Sequence, residues 1–214
     1  MMPQSKVEVF KEQGGRFTFS HFYQHYGHKA LQYFSKHTKV TYDDSKNLTG
    51  ISLGSCTYNG HFEEVRLRDK TWNGGTKNSK DVTVAHEFTH SLYSQISGSQ
   101  AWKNSSGQRT YAPLTAVNEG LAVLGPNLTS FAPHCSEYMQ HACRTLSALE
   151  VVAKEEGTTP KKLYLSLSNI SDMPLEHRKG IKVRLDTLYS TKYIIKNYTG
   201  KEIVDSMKQW RESE

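Results

Sequence analysis

Two segments of the chain, residues 51–58 and 61–69, are predicted to be β-strands, and the second alternates apolar and charged side chains with the period of a half-buried strand. Asn59-Gly60 lies between them and favours a hairpin turn, because both residue types tolerate positive φ. In the second segment the apolar Val65 stands between charged neighbours, so one face is predicted to be buried and the other exposed. The pattern therefore predicts a short sheet in which residues 61–68 form an exposed edge strand.

Helical spacing of apolar residues dominates the remainder of the chain. One helix is predicted over residues 17–37 and a second, amphipathic helix over residues 80–96. A short helix over residues 115–124 is predicted to end at Gly125-Pro126, since this pair disfavours helix continuation. Further helices are predicted over residues 135–156, 160–169, 175–196 and 201–211, the second of them with Thr159 as its cap and Pro160 at its first position.

This order of strands followed by helices predicts an α+β fold. We expect a small mixed sheet with the 80–96 helix, followed by a mainly helical C-terminal lobe. The chain has 214 residues, 36% of them hydrophobic, which is enough for one buried core. The sequence is therefore interpreted as one domain over residues 1–214, with a mixed lobe over 1–97 and a helical lobe over 98–214.

The 80–96 helix contains His86-Glu87-Phe-Thr-His90, a pattern suited to metal chemistry. Histidines four residues apart share one helix face, so their ring nitrogens can converge on one ion at about 2.0–2.1 Å. Glu87 is placed where a general base can take a proton from water activated by that ion. The alternative is a helix that displays two histidines without a metal.

A catalytic zinc site needs a third protein ligand. A third histidine on the same stretch is excluded, because Tyr93 and Ile96 occupy the positions that such a motif would fill. Glu119, in the run Val-Asn-Glu-Gly-Leu-Ala on the next predicted helix, is the candidate. A capping or surface glutamate is its alternative interpretation.

The HEFTH run followed by NEGLA resembles the gluzincins, zinc metallopeptidases whose third ligand is a glutamate on the following helix. The resemblance covers most of the chain and implies a zincin-like fold with bound Zn²⁺. It implies that His86, His90 and Glu119 are the zinc ligands and that Glu87 is the catalytic base. The chain departs from thermolysin-like members in two ways. Its linker between His90 and Glu119 is longer, at 28 residues, and Val123 stands where those members carry an aspartate.

Weaker similarities point to the aminopeptidase branch of the gluzincins. Tyr189 falls where that branch carries a catalytic tyrosine, which would hydrogen-bond the oxyanion formed on the substrate. Its alternative is a tyrosine in the core of an amphipathic helix. Glu63 falls near the position of the branch's amine-binding glutamate, although the surrounding signature is not kept. Rival oxyanion donors are Tyr111, His134, Tyr138 and His141.

The function predicted from these residues is zinc-dependent hydrolysis of peptide bonds in a peptide or protein substrate, by metal-activated water. Substrate binding is predicted along the edge strand, at Glu63 and Val65, by backbone pairing. An endopeptidase is favoured, because a chain of this length lacks the extra domains of large aminopeptidases. The alternatives are an aminopeptidase-like exopeptidase and a catalytically silent zinc-binding domain that binds a protein partner.

Charge and composition narrow the remaining possibilities. The net charge is +6, but the basic residues are mixed with acids, so nucleic acid is not expected as a partner. Residues 81–159, which contain the metal motif, carry four basic and seven acidic residues. A second histidine group at His21, His25 and His28 lacks a neighbouring base and is interpreted as a surface feature.

No apolar run is long enough to span a membrane, and no secretory signal precedes the first predicted helix. Three cysteines are too few for a disulfide framework, and we expect all three to be reduced. A secreted enzyme, or an effector delivered into a host cell, is favoured over a resident cytoplasmic protein. The sequence does not indicate the oligomeric state.

Overall fold

The computed structural model of the chain divides into two compact units, Met1–Leu92 and Tyr93–Glu214. For all strand residues other than Thr38, and for residues at several helix ends, the structure describes the backbone but not the side chain. The structure describes residues 26–34, 36–43, 51–53, 63–68, 77–96, 113–127, 136–191 and 200–212.

The first unit contains two helices and a short sheet. Helix α1 covers residues 26–34 and 36–37, and its buried face consists of Tyr26, Ala30, Leu31 and Phe34, which recur at helical spacing. The sheet is formed by β1 (Thr38–Asp43), β2 (Ile51–Leu53) and β3 (Glu63–Arg68), and α2 (Lys77–Leu92) follows.

The sheet order is β1-β3-β2, so β3 is the central strand. It pairs in parallel with β1, from Thr38↔Glu63 to Asp43↔Arg68, and antiparallel with β2, where Ser52 faces Val65. The prediction of residues 61–68 as an edge strand is therefore wrong. Alternation of apolar and charged residues reports which face of a strand is buried, but it does not report how many neighbouring strands pair with it.

The predicted α+β fold class is also wrong. The residues whose side chains the structure describes are 81% helical and form no sheet among themselves, which indicates an all-helical fold for that part of the chain. The three short strands are described by their backbone only, apart from Thr38. The physical reason lies in the core: its described apolar residues lie on helices or on the turns that directly follow them, with the three- and four-residue spacing of a helix face.

The second unit, as far as it is described, consists of helices and the turns between them. Thr159 is the N-cap of α5, its Oγ1 accepting a hydrogen bond from the N–H of Lys162, with Pro160 at the first position, so the predicted cap is confirmed. Gly157, which follows α4, adopts φ +64° and allows the chain to turn there. The helices are α3 (Pro113–Asn127), α4 (Ser136–Glu155), α5 (Pro160–Ser166), α6 (Leu175–Ser190) and α7 (Gly200–Glu212).

The core of this unit is built around α4, which packs against α3, α5 and α6. Several leucines of these helices are completely buried, among them Leu121, Leu146 and Leu149, as are the tyrosines Tyr93 and Tyr164. Burial of a tyrosine requires a partner for its hydroxyl, and Tyr93 accordingly donates to the carbonyl of Tyr164 at 2.9 Å. None of the described helices has the length and apolar character that a membrane crossing requires.

Candidate metal centre

The candidate centre lies on α2, where three chemistry-bearing side chains share one part of the helix surface. A helix turns about 100° per residue, so His86, Glu87 and His90 fall within an arc of about 100°. Their potential ligand atoms all lie within 4.8 Å of one another. This is the one group of at least three His, Cys, Asp or Glu side chains with metal-binding geometry among the described residues.

The opposite face of α2 packs into the core of the first unit. The rings of Phe88 and Phe34 of α1 meet edge to face, with centroids 4.8 Å apart. Ala85, Thr89 and Leu92 are completely buried on the same side. Because one face is held in this way, the rotation of α2 about its axis is fixed, and the direction of the two imidazoles is fixed with it.

A buried side-chain hydrogen bond also holds α2 in its orientation. The hydroxyls of Thr38, at the start of β1, and Ser91 lie 2.9 Å apart, and the two residues are 53 positions apart in the chain. Ser91 directly follows His90, so the bond joins the strand to the helix beside a predicted ligand.

The two imidazoles converge in a geometry that fits one metal ion. Nε2 of His86 and Nε2 of His90 are 3.1 Å apart, and the rings are perpendicular with centroids at 4.7 Å. Two nitrogens bound to one tetrahedral zinc at 2.0–2.1 Å are expected to be about 3.3 Å apart. The measured separation corresponds to an N–metal–N angle of about 98° for those bond lengths, which four-coordinate zinc tolerates. The same separation also suits an N–H···N hydrogen bond between the rings.

Glu87 occupies the site in a buried environment, with 6% of its surface exposed, whereas both histidines are partly exposed. Its carboxylate belongs to the same 4.8 Å group as the two ring nitrogens. A carboxylate at this distance is able to reach a water molecule held near the imidazoles through a hydrogen bond of about 2.6–3.2 Å. The arrangement suits a general base.

Glu119, the predicted third ligand, lies on α3 in the second unit and is partly buried. Its chain neighbour Gly120 is packed so closely against α4 that a Cβ there would lie 2.6 Å from the carbonyl oxygen of His141. On the following residue, the Leu121 carbonyl accepts a hydrogen bond from the hydroxyl of Tyr164 at 3.0 Å. The backbone around Glu119 is therefore held on two sides within this unit.

Tyr189, the predicted oxyanion donor, lies in the last turn of α6, which ends at Ser190 and not at residue 196 as predicted. Its hydroxyl is 2.5 Å from Nδ1 of His141, and the guanidinium carbon of Arg144 lies 5.5 Å from its ring centroid. Burial raises the pKa of Tyr189, while the positive charge of Arg144 and a hydrogen bond from it act in the opposite direction.

The partnership of Tyr189 with His141 and Arg144 is not predicted by the sequence, which presents His141 only as a rival of Tyr189 and gives Arg144 no role. The histidine and the tyrosine are 48 residues apart on separate helices, so no local pattern connects them. Only His141 and Arg144, at i and i+3 on α4, carry a local signal of sharing a face.

Glu63 and Val65 lie on the central strand β3, so the prediction that a substrate pairs with this strand as a sheet edge is wrong, whereas the amine-binding role that the resemblance implies for Glu63 stays a prediction. His28 is exposed on α1, as expected for a surface histidine, and Val123 is buried on α3. Tyr111, His134, Tyr138, His21 and His25 lie outside the residues whose side chains the structure describes.

Comparisons with protein-family models, with curated proteins and with solved structures find no match to this chain. The resemblance to the gluzincins therefore rests on the quoted motifs, and its functional implications are proposals.

Proposed function

We propose that the protein is a zinc-dependent peptidase, with His86 and His90 as metal ligands and Glu87 as general base. The observation that carries the proposal is the 3.1 Å approach of the two Nε2 atoms beside a buried carboxylate. Two neutral imidazoles are typical ligands of zinc and of neighbouring transition metals, and a carboxylate as third ligand favours a hydrolytic zinc site. The negative local charge of residues 81–159 also favours a divalent cation.

The roles of the residues follow from their chemistry. His86 and His90 bind the metal as neutral imidazoles through Nε2. Glu119 is proposed as the third ligand from its place in the sequence. Bound zinc would supply a Lewis acid that activates water and polarises the scissile carbonyl. Glu87 takes the proton of the attacking water and delivers it to the departing amine, a transfer favoured by a carboxylate held in a fixed position.

The proposed substrate is a peptide or an unfolded segment of a protein, cleaved within the chain. The central position of β3 removes residues 61–68 as the strand that pairs with it. Tyr189 is proposed to donate its hydroxyl to the oxyanion that forms as water attacks the carbonyl.

Metal analysis of purified protein tests the proposal first. We expect about one zinc per chain in the wild type. His90→Ala should lose the metal and Glu119→Ala should hold it more weakly. His28→Ala is the matched control, because it removes an exposed histidine from α1, outside the candidate site, and should keep the full zinc content.

Cleavage of a denatured-protein and peptide library then tests the chemistry. Glu87→Gln keeps the shape of the side chain but removes the base, so it should retain zinc and lose cleavage by at least about a hundredfold. If wild type and Glu87→Gln both bind zinc and neither cleaves any substrate, the peptidase proposal fails and a zinc-binding interaction domain takes its place. Absence of zinc in the wild type, even after reconstitution, contradicts both.

A further inference from the structure

The cluster of His141, Arg144 and Tyr189 joins α4 to the end of α6 within the second unit. Nδ1 of His141 lies 2.5 Å from the Tyr189 hydroxyl, and the two rings are 6.1 Å apart between centroids. Arg144 is one helical turn after His141 and lies over the Tyr189 ring at 5.5 Å. All three side chains keep some contact with solvent, so the cluster is not part of the apolar core.

The hydrogen-bonding capacity of a phenol limits what this cluster can do. A tyrosine hydroxyl donates one hydrogen and accepts up to two, whereas a guanidinium only donates. If Nδ1 of His141 accepts, the Tyr189 hydrogen is already used and cannot reach a substrate. If Nδ1 carries a hydrogen and donates, the Tyr189 oxygen accepts from His141, and the Tyr189 hydrogen can be donated to another partner.

We propose that His141 is a positioning residue for Tyr189: its Nδ1–H donates to the tyrosine oxygen and so directs the Tyr189 hydrogen toward a negatively charged or developing oxyanion on the substrate. This inference rests on the proposed function, in which Tyr189 stabilises the oxyanion. His141 itself does not touch the reacting atoms.

The surrounding packing supports a fixed position for His141. Its carbonyl oxygen lies in the α3–α4 contact, at a point where Gly120 leaves no room for a side chain. A small displacement of α4 is therefore resisted, and a fixed donor is what stabilises an oxyanion without reorganisation during the reaction. The guanidinium of Arg144 covers the ring of the same tyrosine, with its central carbon 5.5 Å from the ring centroid.

A double-mutant cycle on the zinc-loaded protein tests whether His141 acts through Tyr189. We expect Tyr189→Phe to lower kcat by about a hundredfold with KM little changed. His141→Leu should lower kcat at least about tenfold in the wild type but less than about twofold in the Tyr189→Phe background. Equal losses in both backgrounds would show that His141 acts independently and would overturn the inference.

Two conservative variants of His141 separate positioning from packing. Asparagine presents an amide near the place of Nδ1, whereas glutamine presents it near the place of Nε2, although both are polar. We expect His141→Asn to recover most of the lost kcat and His141→Gln to recover little. Equal behaviour of the two would contradict a donor role for Nδ1. Zinc content and thermal melting of each variant establish that the fold and the metal are retained.

A spectroscopic measurement decides the hydrogen bond even if the peptidase proposal fails. In protein labelled with ¹⁵N-histidine at pH 8, the His141 Nδ1 resonance should fall in the range of a protonated, pyrrole-type nitrogen and should move in Tyr189→Phe. A pyridine-type Nδ1 would overturn the inference whether or not the protein cleaves peptides. If no substrate is cleaved but Nδ1 is protonated and coupled to Tyr189, the proposed function fails while the positioning of Tyr189 stands.

Discussion

At the scale of single residues, Gly120 illustrates a motif residue with a structural role. It directly follows the predicted ligand Glu119 and belongs to the run of residues that resembles a peptidase motif. Its place in the structure supplies a second reason, because the backbones of α3 and α4 approach closely there. Thr145, at the same contact, is completely buried.

We expect Gly120→Ala to destabilise the protein. The added Cβ would lie 2.6 Å from the His141 carbonyl oxygen and 2.6 Å from Cβ of Thr145, and both belong to a helix that cannot easily yield. Overpacking of this kind lowers the free energy of unfolding by about 1–3 kcal/mol. Urea denaturation followed by circular dichroism measures the change.

Gly180→Ala is the matched control, since Gly180 lies on α6 and a Cβ added there would meet no atom within 4 Å. Alanine should raise the free energy of unfolding there by about 0.5–1 kcal/mol, because glycine is the weaker helix former. Similar effects of the two substitutions would contradict the close α3–α4 contact.

The predictability of the site differs from residue to residue. His86, Glu87 and His90 come together in the structure because their proximity depends only on helix geometry, which the spacing in the sequence specifies. The partners of Tyr189 depend on how α4 packs against α6, and no local pattern encodes that contact. Glu119 is intermediate: its place on a helix is predictable, whereas its role as third ligand stays a prediction.

At the scale of elements, the contacts of α2 decide whether the candidate metal ligands His86 and His90 are preorganised. Phe34 and Phe88 supply apolar packing, and Thr38 and Ser91 supply a directional hydrogen bond that is buried. Apolar contacts tolerate small rotations of a helix, but a hydrogen bond of 2.9 Å does not. The hydrogen bond between Thr38 and Ser91 therefore restricts the orientation of His90 more closely than the apolar contacts do.

Thr38→Val should weaken metal binding as well as stability. Valine keeps the shape of threonine but removes the hydroxyl, so the loss of the bond to Ser91 is expected to lower the free energy of unfolding by about 1 kcal/mol. Zinc affinity, measured by competition with a chelator, should fall severalfold because His90 is held less firmly. If Thr38→Val and Ser91→Ala lower zinc affinity additively in the double variant, the bond is not the cause.

Helix α6 contains a buried ion pair whose charges are both disfavoured by burial. Nζ of Lys182 lies 2.6 Å from Asp186, and the two side chains are only 4% and 12% exposed. Burial lowers the pKa of Lys182 and raises the pKa of Asp186, and in each case the partner's charge opposes the shift. The attraction between the two charges is therefore opposed by the cost of removing both of them from water.

Lys182→Met should remove the attraction and leave the cost of burying Asp186. The raised pKa of Asp186 means that its carboxyl group holds a proton more firmly in the folded state than in the unfolded state. Protonation of Asp186 therefore stabilises the folded state at low pH, and this stabilisation is lost as the pH rises above about 4. We expect a loss of about 2 kcal/mol at pH 7 that shrinks toward pH 4, as measured by urea denaturation at both values.

The double variant Lys182→Met with Asp186→Leu is the control for this prediction. Replacing both charges with apolar side chains of similar size should restore the stability of the wild type or exceed it. A double variant less stable than Lys182→Met alone would show that the ion pair contributes more than its desolvation cost.

The elements themselves are predictable to different degrees. Most helices of the second unit are predicted to within three residues at their ends, because caps such as Thr159-Pro160 and the apolar spacing are local signals. Two predicted ends are wrong: α3 continues through Gly125-Pro126 to Asn127, and α6 ends at Ser190, six residues earlier than predicted. The order of the strands in the sheet is not predictable from the sequence. The parallel pairing of β1 with β3 joins residues 25 positions apart, and alternation of apolar and polar residues does not specify such contacts. The fold class fails for the same reason: the alternating pattern favours strands, whereas the packed core is helical.

At the scale of the whole molecule, a metal bound by the first unit would couple its chemistry to its stability. The candidate ligands His86 and His90 lie on one helix, α2, so a bound ion would hold the two imidazoles in their convergent orientation and favour the folded helix. An ion that binds the folded state alone stabilises it by mass action. Zinc would then act as a structural as well as a catalytic element.

We expect zinc to raise the melting temperature of the metal-free protein. At a free zinc concentration about one hundred times the dissociation constant, the stabilisation is about 2.7 kcal/mol. For a chain of this size, this corresponds to an increase of about 5–10 °C. Differential scanning fluorimetry of chelator-treated protein, with and without added zinc, measures the change, which a chelator should reverse.

His90→Ala should abolish the increase, because one remaining imidazole cannot hold the ion firmly, whereas His28→Ala on the exposed face of α1 should leave it unchanged. The comparison matters because zinc also binds loosely to surface histidines and to unfolded chains, where it would destabilise the fold. An equal increase in both variants would place the metal elsewhere on the molecule. Loss of the increase in His90→Ala alone would tie the stability of the folded chain to the pair of imidazoles on α2.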